Sequence, residues 1–325
     1  MPRLLFILFI FFSFFSQAQK IEYQFDFDGI GDNREFDPLF AQPQTIFGAR
    51  GAFEVGLKKE NHRMRVGMSH LIEFGNNFDA LKPQLTLYYE YKNHNTSFLF
   101  GSFPRRKHTN LPLAMLQRLV LYYQPNIEGI MLEKKGDWGF QNIFIDWLTR
   151  QTNVQREEFM LATNGKWGYN HLFVENTFMI VHSMRPKIRI PNDYINDYIG
   201  VSLLLGVETS RNNDFYGYFK TGLLSSSHKD RGITDRFHFK TSLFTEIYGK
   251  YKHYALKSIL HKGGEHALML GDPLYKNKDY SRTDIIWHLI SYKKVKASFT
   301  YSLHVINWEQ LNHQQMFTLK YVIDK

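Results

Sequence analysis

The stretch GAFEVGLKKENHRMRVGMSHLIEF, residues 51–74, decides the fold. Before its central KKENH, Phe53, Val55 and Leu57 occupy one parity, and Ala52, Glu54, Gly56 and Lys58 the other. After it, Met64, Val66, Met68, Ile72 and Phe74 alternate with Arg63, Arg65, Gly67, Ser69 and Glu73. Successive side chains of a strand point to opposite faces, so this is a hairpin with one oily and one charged face. A soluble sheet turns the oily face inward, whereas a membrane barrel turns it outward, to lipid.

The same pattern recurs in PQLTLYYEYK (83–92), RFHFKTSLFTEIYGK (236–250) and VKASFTYSLHV (295–305), with no Lys, Arg, Asp or Glu on the apolar parity. A Lys or Arg facing lipid at the bilayer midplane costs about 2–4 kcal/mol, which accounts for clean runs. Short polar breaks fall at Lys59–His62, Lys92–Asn95, Lys134–Asp137, Thr163–Lys166, Ser210–Asn213, Gly249–Lys252 and Tyr292–Lys294. Longer irregular segments alternate with them, at 28–44, 75–82, 104–127, 148–154, 183–196, 223–235, 263–282 and 306–312. Alternation of short and long connections is what short periplasmic turns and longer extracellular loops produce. The fold class that follows is all-β: a transmembrane antiparallel β-barrel of about sixteen strands.

The first residues, MPRLLFILFIFFSFFSQAQK, place one Arg before an apolar run and small residues at a cleavage position. They read as a signal peptide over 1–18, leaving a barrel domain over 19–325. The chain has no cysteine, 29 Phe and 19 Tyr, and a formal charge of +9 spread along its length. Export argues against a nucleic-acid partner, so the excess charge speaks to anionic solutes or lipid headgroups. No long apolar stretch follows the signal, so no spanning helix is expected.

These features resemble the outer-membrane β-barrel proteins of Bacteroidetes-type bacteria. The resemblance rests on SQAQK at the end of the signal, the alternating hairpins, and a final strand MFTLKYVIDK with Phe317, Leu319, Tyr321 and Ile323 on one parity. It implies a porin-like barrel in the outer membrane of a Gram-negative bacterium, in contact with outer-membrane lipid and inserted by the barrel-assembly machinery. It also implies that the third long loop, here 104–127, folds into the lumen as a constriction. Arg105, Arg106, Lys107 and Arg118 would then give that constriction a positive face; the alternative is that LQRLVLYYQP forms an extra strand and Arg105–Lys107 a solvated loop tip.

If the charged parity lines the lumen, Glu54, Glu90, Glu133, Glu158, Glu208 and Glu246 form a belt near the periplasmic mouth. Cations such as Arg63, Arg65, Lys92 and Lys240 interleave with it and either brace the wall or select ions. DFDGIGDNRE (26–35) offers Asp26, Asp28, Asp32 and Glu35 as a weak calcium candidate. HKGGEH offers His261, Glu265 and His266 as a weaker metal candidate. Trp147 beside Asp146, Arg150 and Arg156 reads as an interface-belt aromatic. No cofactor is implied.

No HExxH, Walker, GxSxG or GxGxxG element occurs. A lipid-face hydrolase needs a hydroxyl beside a histidine, and His70 and His182 show no serine partner in sequence. The sequence therefore reads as a non-enzymatic channel for small hydrophilic, anionic solutes. The alternatives are a barrel that binds or exports surface polysaccharide, or a closed structural or adhesion barrel.

Overall fold

Tight two-residue turns organise one end of the molecule. Glu60, Asn170, Lys252 and Lys293 each open such a turn with positive φ, between 47° and 54°. That left-handed geometry matches the twist of the flanking strands and closes hairpins without splaying them. The computed structural model describes residues 20–77, 80–209 and 214–325. The signal peptide and the Ser210–Asn213 turn expected from sequence lie outside the described residues.

The strands of the first half are β1 Lys20–Glu35, β2 Gln44–Lys59, β3 His62–Glu73, β4 Gln84–Lys92, β5 Thr96–Pro104, β6 Asn126–Gly136, β7 Gly139–Thr149 and β8 Glu158–Tyr169. Those of the second are β9 Leu172–Ser183, β10 Ile195–Glu208, β11 Phe215–Arg231, β12 Lys240–Tyr251, β13 Tyr254–Lys262, β14 Asp279–Tyr292, β15 Val295–Ile306 and β16 Gln310–Asp324. Each pairs with its sequence neighbours, and β1 pairs with β16 to close the barrel. Closure leaves no edge, which is why such a sheet can stand in lipid.

The opening hairpin turns its oily face outward. Phe53, Val55, Leu57, Met64, Val66 and Met68 are exposed, while Glu54, Ser69 and Leu71 are buried. One expected turn is misplaced. Thr163–Lys166 lies inside β8, and the chain reverses instead at Asn170–His171. Thr163, Asn164 and Lys166 mimic a turn because the lumenal face of a barrel strand is itself polar.

The lumen is filled rather than open. Two long loops, 105–125 and 263–278, fold inward from the end opposite the short turns. The first carries a 3-10 turn at Arg105–Lys107 and helix α1, Arg118–Tyr123; the second carries a 3-10 turn at Pro273–Lys276. They hydrogen-bond each other, Gln117 N to Leu270 O at 2.8 Å and Asp272 N to Leu113 O at 2.9 Å. Gly271 permits that approach, because a Cβ there would stand 2.2 Å from Ala114 O. Met115, Leu116, Leu268, Leu274 and Tyr275 then pack against wall residues such as Met131, Met160, Met179 and Leu204 in one buried apolar cluster.

Arg105 fixes the first loop to the wall. Its guanidinium pairs with Asp146 at 2.5 Å, both side chains 1% exposed, and donates to Gln124 O and Asn126 O. Truncating one member of a buried pair strands the other charge, at about 3–5 kcal/mol. Arg105→Ala should therefore lower the unfolding free energy by that order, read as an earlier loss of heat-modifiable migration. An unchanged transition would show that Asp146 finds water instead.

Candidate active site on the lipid-facing wall

At the loop end of the barrel, the outward parity of four adjacent strands turns from apolar to polar. Register places Asn33 of β1 opposite Gln315 of β16 and Thr45 of β2, and Glu35 opposite His313. On the other side of β16, Tyr301 of β15 stands opposite Gln315. Thr45 Oγ1 donates to Asn33 Oδ1 at 2.7 Å. The Asn33 amide donates to Glu35 Oε1 at 2.9 Å and to Gln315 Oε1 at 2.7 Å. Asn33 thus uses both ends of its side chain to orient three neighbours. His313 Nδ1 lies 2.6 Å from the Tyr301 hydroxyl.

Below this row the wall has a floor without side chains. Gly29 and Gly31 occupy the outward parity of β1, since Ile30 and Asp32 between and beyond them are buried inward. Gly29 opposes Ala49 and Phe27 opposes Gly51, so small residues continue across β2. Phe47 and Phe317, both exposed to lipid, flank Gly31; a Cβ there would meet Phe317 at 3.4 Å and Phe47 at 3.5 Å. The six residue steps from Thr45 to Gly51, at ~3.3 Å each, give a furrow roughly 20 Å long. His70 of β3 faces Gly51 at its lower edge.

This arrangement has the parts that ester hydrolysis needs. With Nδ1–H donating to the Tyr301 oxygen, His313 presents Nε2 as a general base. Glu35, directly across the strand pair, supplies the negative charge that favours imidazolium as the proton is taken. Gln315 accepts from Asn33 with its oxygen, which leaves its amide N–H groups to receive a developing oxyanion. An acyl chain lying on the glycine floor between Phe47 and Phe317 would bring its ester to that row.

The lumenal residues singled out from sequence separate into two ends. Near the short turns, Glu54 pairs with Arg65 at 3.2 Å and Glu90 with Arg63 at 2.7 Å. Glu208 pairs there with Lys166 at 2.9 Å, Glu133 with Lys135 at 2.8 Å, and Glu246 with Lys257 and Lys220 at 3.2 and 3.4 Å. Lys92 ends β4 at the same mouth. Glu22 and Glu175 also belong to this belt and were missed; Glu22 takes Arg63 at 2.8 Å and Glu175 takes Lys220 at 2.8 Å. Glu158 and Lys240 do not belong. They begin β8 and β12 at the loop end, where Glu158 accepts from Ser183 and Lys240 pairs with Glu265. The misplaced β8 turn explains the first error, and strand direction the second.

Arg106 and Lys107 reach Asp28 at 3.6 Å and Asp26 at 3.0 Å, so loop cations meet the acidic stretch of β1. Asp32 is held by Arg34 and Gln314. The stretch 26–35 is therefore strand, not a cation-binding loop, and Glu35 points the opposite way from the three aspartates. Among the described residues no three metal-ligating side chains converge. His261 and His266 stand ring to ring at 5.0 Å, while Glu265 turns away to Lys240.

Solved structures share the architecture. A loop-deleted form of OmpT, an outer-membrane protein of Vibrio cholerae, superposes with a TM-score of 0.58 at 9% identity, over 94% of this chain and 100% of that one. Pseudomonas aeruginosa OccK5 (OpdH) gives 0.54 at 9% identity over 94% and 98%, and OpdL of the same organism 0.51 at 9% over 94% and 99%. Such likeness shows the fold alone, a closed antiparallel barrel of the outer-membrane type. A search of curated proteins found no match. The profile of the family described as lipid A 3'-O-deacylase-type matches residues 15–323. The chain belongs to that family.

Membership in the lipid A 3'-O-deacylase-type family overturns the expectation that the chain is not an enzyme. The expectation failed because it sought linear motifs and a serine beside His70 or His182, whereas the outward polar row is assembled across the barrel closure. Within a deacylase-type chain the other histidine clusters offer less. His182 Nδ1 meets Asp197 at 2.6 Å, and Arg231 caps the same carboxylate at 2.6 Å. That trio also faces outward, but it neutralises itself and no hydroxyl bonds to His182 among the described residues. His266 accepts or donates to Ser226 at 2.6 Å and Ser242 at 2.7 Å, but all three are buried inside the lumen.

Proposed function

We propose that the protein is a membrane-embedded esterase that removes an ester-linked acyl chain from lipid A in the outer leaflet. The observation that carries this reading is the Thr45–Asn33–Gln315–Glu35–His313 row at the head of a glycine-floored, lipid-facing furrow. A water held by His313 and Glu35 attacks the ester carbonyl, and its oxygen becomes part of the released carboxylic acid. The acyl–oxygen bond breaks, and the proton taken by His313 returns to the saccharide oxygen, which leaves as a hydroxyl. Because the acyl chain already lies in hydrocarbon, the furrow holds it by shape and van der Waals contact rather than by removing it from water.

The test is mass spectrometry of lipid A after incubation with the purified barrel in mixed micelles. Loss of one acyl chain, matched by the free fatty acid, is the expected result. Unchanged lipid A with a heat-modifiable barrel would sink the reading. A finer prediction concerns the floor. Gly31→Leu should cut turnover of long-chain substrate by about tenfold or more, because one misplaced side chain in an apolar pocket is worth 1–3 kcal/mol. Hydrolysis of a water-soluble acetate ester should change little, and equal losses on both would remove the furrow from the argument.

A second reading, passage of small hydrophilic anionic solutes, is favoured by a cavity of about 510 Å³ that the lumen retains beneath the loops. Passage would require loops 105–125 and 263–278 to part.

A further inference from the structure

That lumenal cavity is built from cations, aromatics and two polar groups without partners. Its walls include Lys166, Lys220, Lys257, Glu175 and Glu246, and Arg118 of α1 lies on its loop side. The three lysines are engaged: Lys220 with Glu175 and Glu246, Lys257 with Glu246, and Lys166 with Glu208. Arg118 is not. It forms no ion pair among the described residues, and its Nε is buried without a hydrogen-bond acceptor. Burial and the nearby Arg282 push its pKa down, outweighing the opposite pull of Tyr122, Asp284 and Asp32.

Across the cavity wall, Asn164 is 4% exposed and its Oδ1 has no partner. A buried donor or acceptor left unpaired is destabilising, so both groups mark places where a ligand would be stabilised. Beside polar residues such as Asn110, Asn176 and Ser202, the lining has an apolar part: Leu116, Leu204, Phe244, Ile259 and Tyr275. Phe140, Phe173 and Tyr216 line the cavity from strand ends beside the short turns, so its lower part faces the periplasmic mouth.

We infer that this cavity binds a small hydroxylated organic carboxylate from the periplasmic side. The carboxylate meets Arg118, the hydroxyl donates to Asn164 Oδ1, and an apolar body rests against Phe244 and Tyr275. The arrangement is independent of the furrow on the outer wall, and so of the esterase reading. A charge-assisted hydrogen bond contributes about 1.5–3 kcal/mol, or roughly 10- to 100-fold in affinity.

Calorimetric titration of 4-hydroxybenzoate into the detergent-solubilised full chain tests it. Saturable one-to-one binding is expected, with benzyl alcohol, which lacks the charge, bound at least tenfold more weakly. Arg118→Gln should weaken 4-hydroxybenzoate by tenfold or more. Asn164→Leu should weaken it but leave benzoate, which has no hydroxyl, unaffected. Heat-modifiable migration checks the fold of both variants, and Asn164→Leu decides alone if Arg118→Gln fails that check. No saturable heat with the wild type, or affinity unaltered in a folded variant, overturns the inference.

Discussion

His313→Asn should reduce release of acyl chains from lipid A by at least about a hundredfold while the barrel still folds. The size follows from the role: a positioned general base contributes roughly 10²- to 10⁴-fold, and asparagine keeps a polar amide near the Nδ1 position without a basic nitrogen. His313 sits at the outer rim of β16, bonded to Tyr301 and opposite Glu35, where no core packing depends on it. Heat-modifiable migration should therefore be unchanged. Glu35→Gln should fall less than His313→Asn, because it removes the charge that favours imidazolium but not the base itself. Asn33→Ala distinguishes positioning from chemistry. It releases Thr45, Glu35 and Gln315 together but leaves the base in place, so kcat should drop by less than in His313→Asn. Full activity in His313→Asn would move the chemistry elsewhere, to the His182–Asp197 pair first.

Much of the architecture was readable from residues. Parity alone put Phe53, Val66 and Leu85 outside and Glu54 and Glu90 inside, and the short turns yielded the sixteen strands. The site was less readable for a topological reason. Asn33 and Gln315 are 282 residues apart in sequence and meet only because β1 and β16 close the barrel. Yet a signal was present. Extending the apolar parity of the last strand back from Phe317 lands on Gln315 and His313, polar residues where lipid was expected. On β1 the same parity carries Asn33 and Glu35. A polar break on an otherwise oily face costs stability unless its position matters, whereas the acidic stretch 26–35 drew attention to the wrong face. Its aspartates anchor a loop; its glycines shape the furrow.

The occluded lumen yields the second large effect. Replacing residues 109–116 by a short Gly-Ser link should convert a barrel without steady conductance in a planar bilayer into one with regular, persistent steps. The segment contributes Ala114, Met115 and Leu116 to the plug, and Leu113 O and Ala114 O to its contact with the 263–278 loop. Without it the second loop loses the Asp272 N to Leu113 O hydrogen bond and its apolar neighbours Ala114, Met115 and Leu116, so the space between it and the wall opens to water. Acid should act in the same direction. His108 and His266, one in each loop, are held neutral by burial, with pKa values pushed down to about 4 and about 3. Their folded pKa values lie below the ordinary 6.5, so the unfolded loops bind more protons as pH falls. Plug stability is then fully present above about pH 6.5 and is lost progressively toward pH 4. Wild-type channels should begin to flicker over that interval, and the shortened variant, already open, should not respond. Steady wild-type conductance at pH 7 would mean that the loops part spontaneously, and would favour the solute-passage reading over a sealed, lipid-facing enzyme.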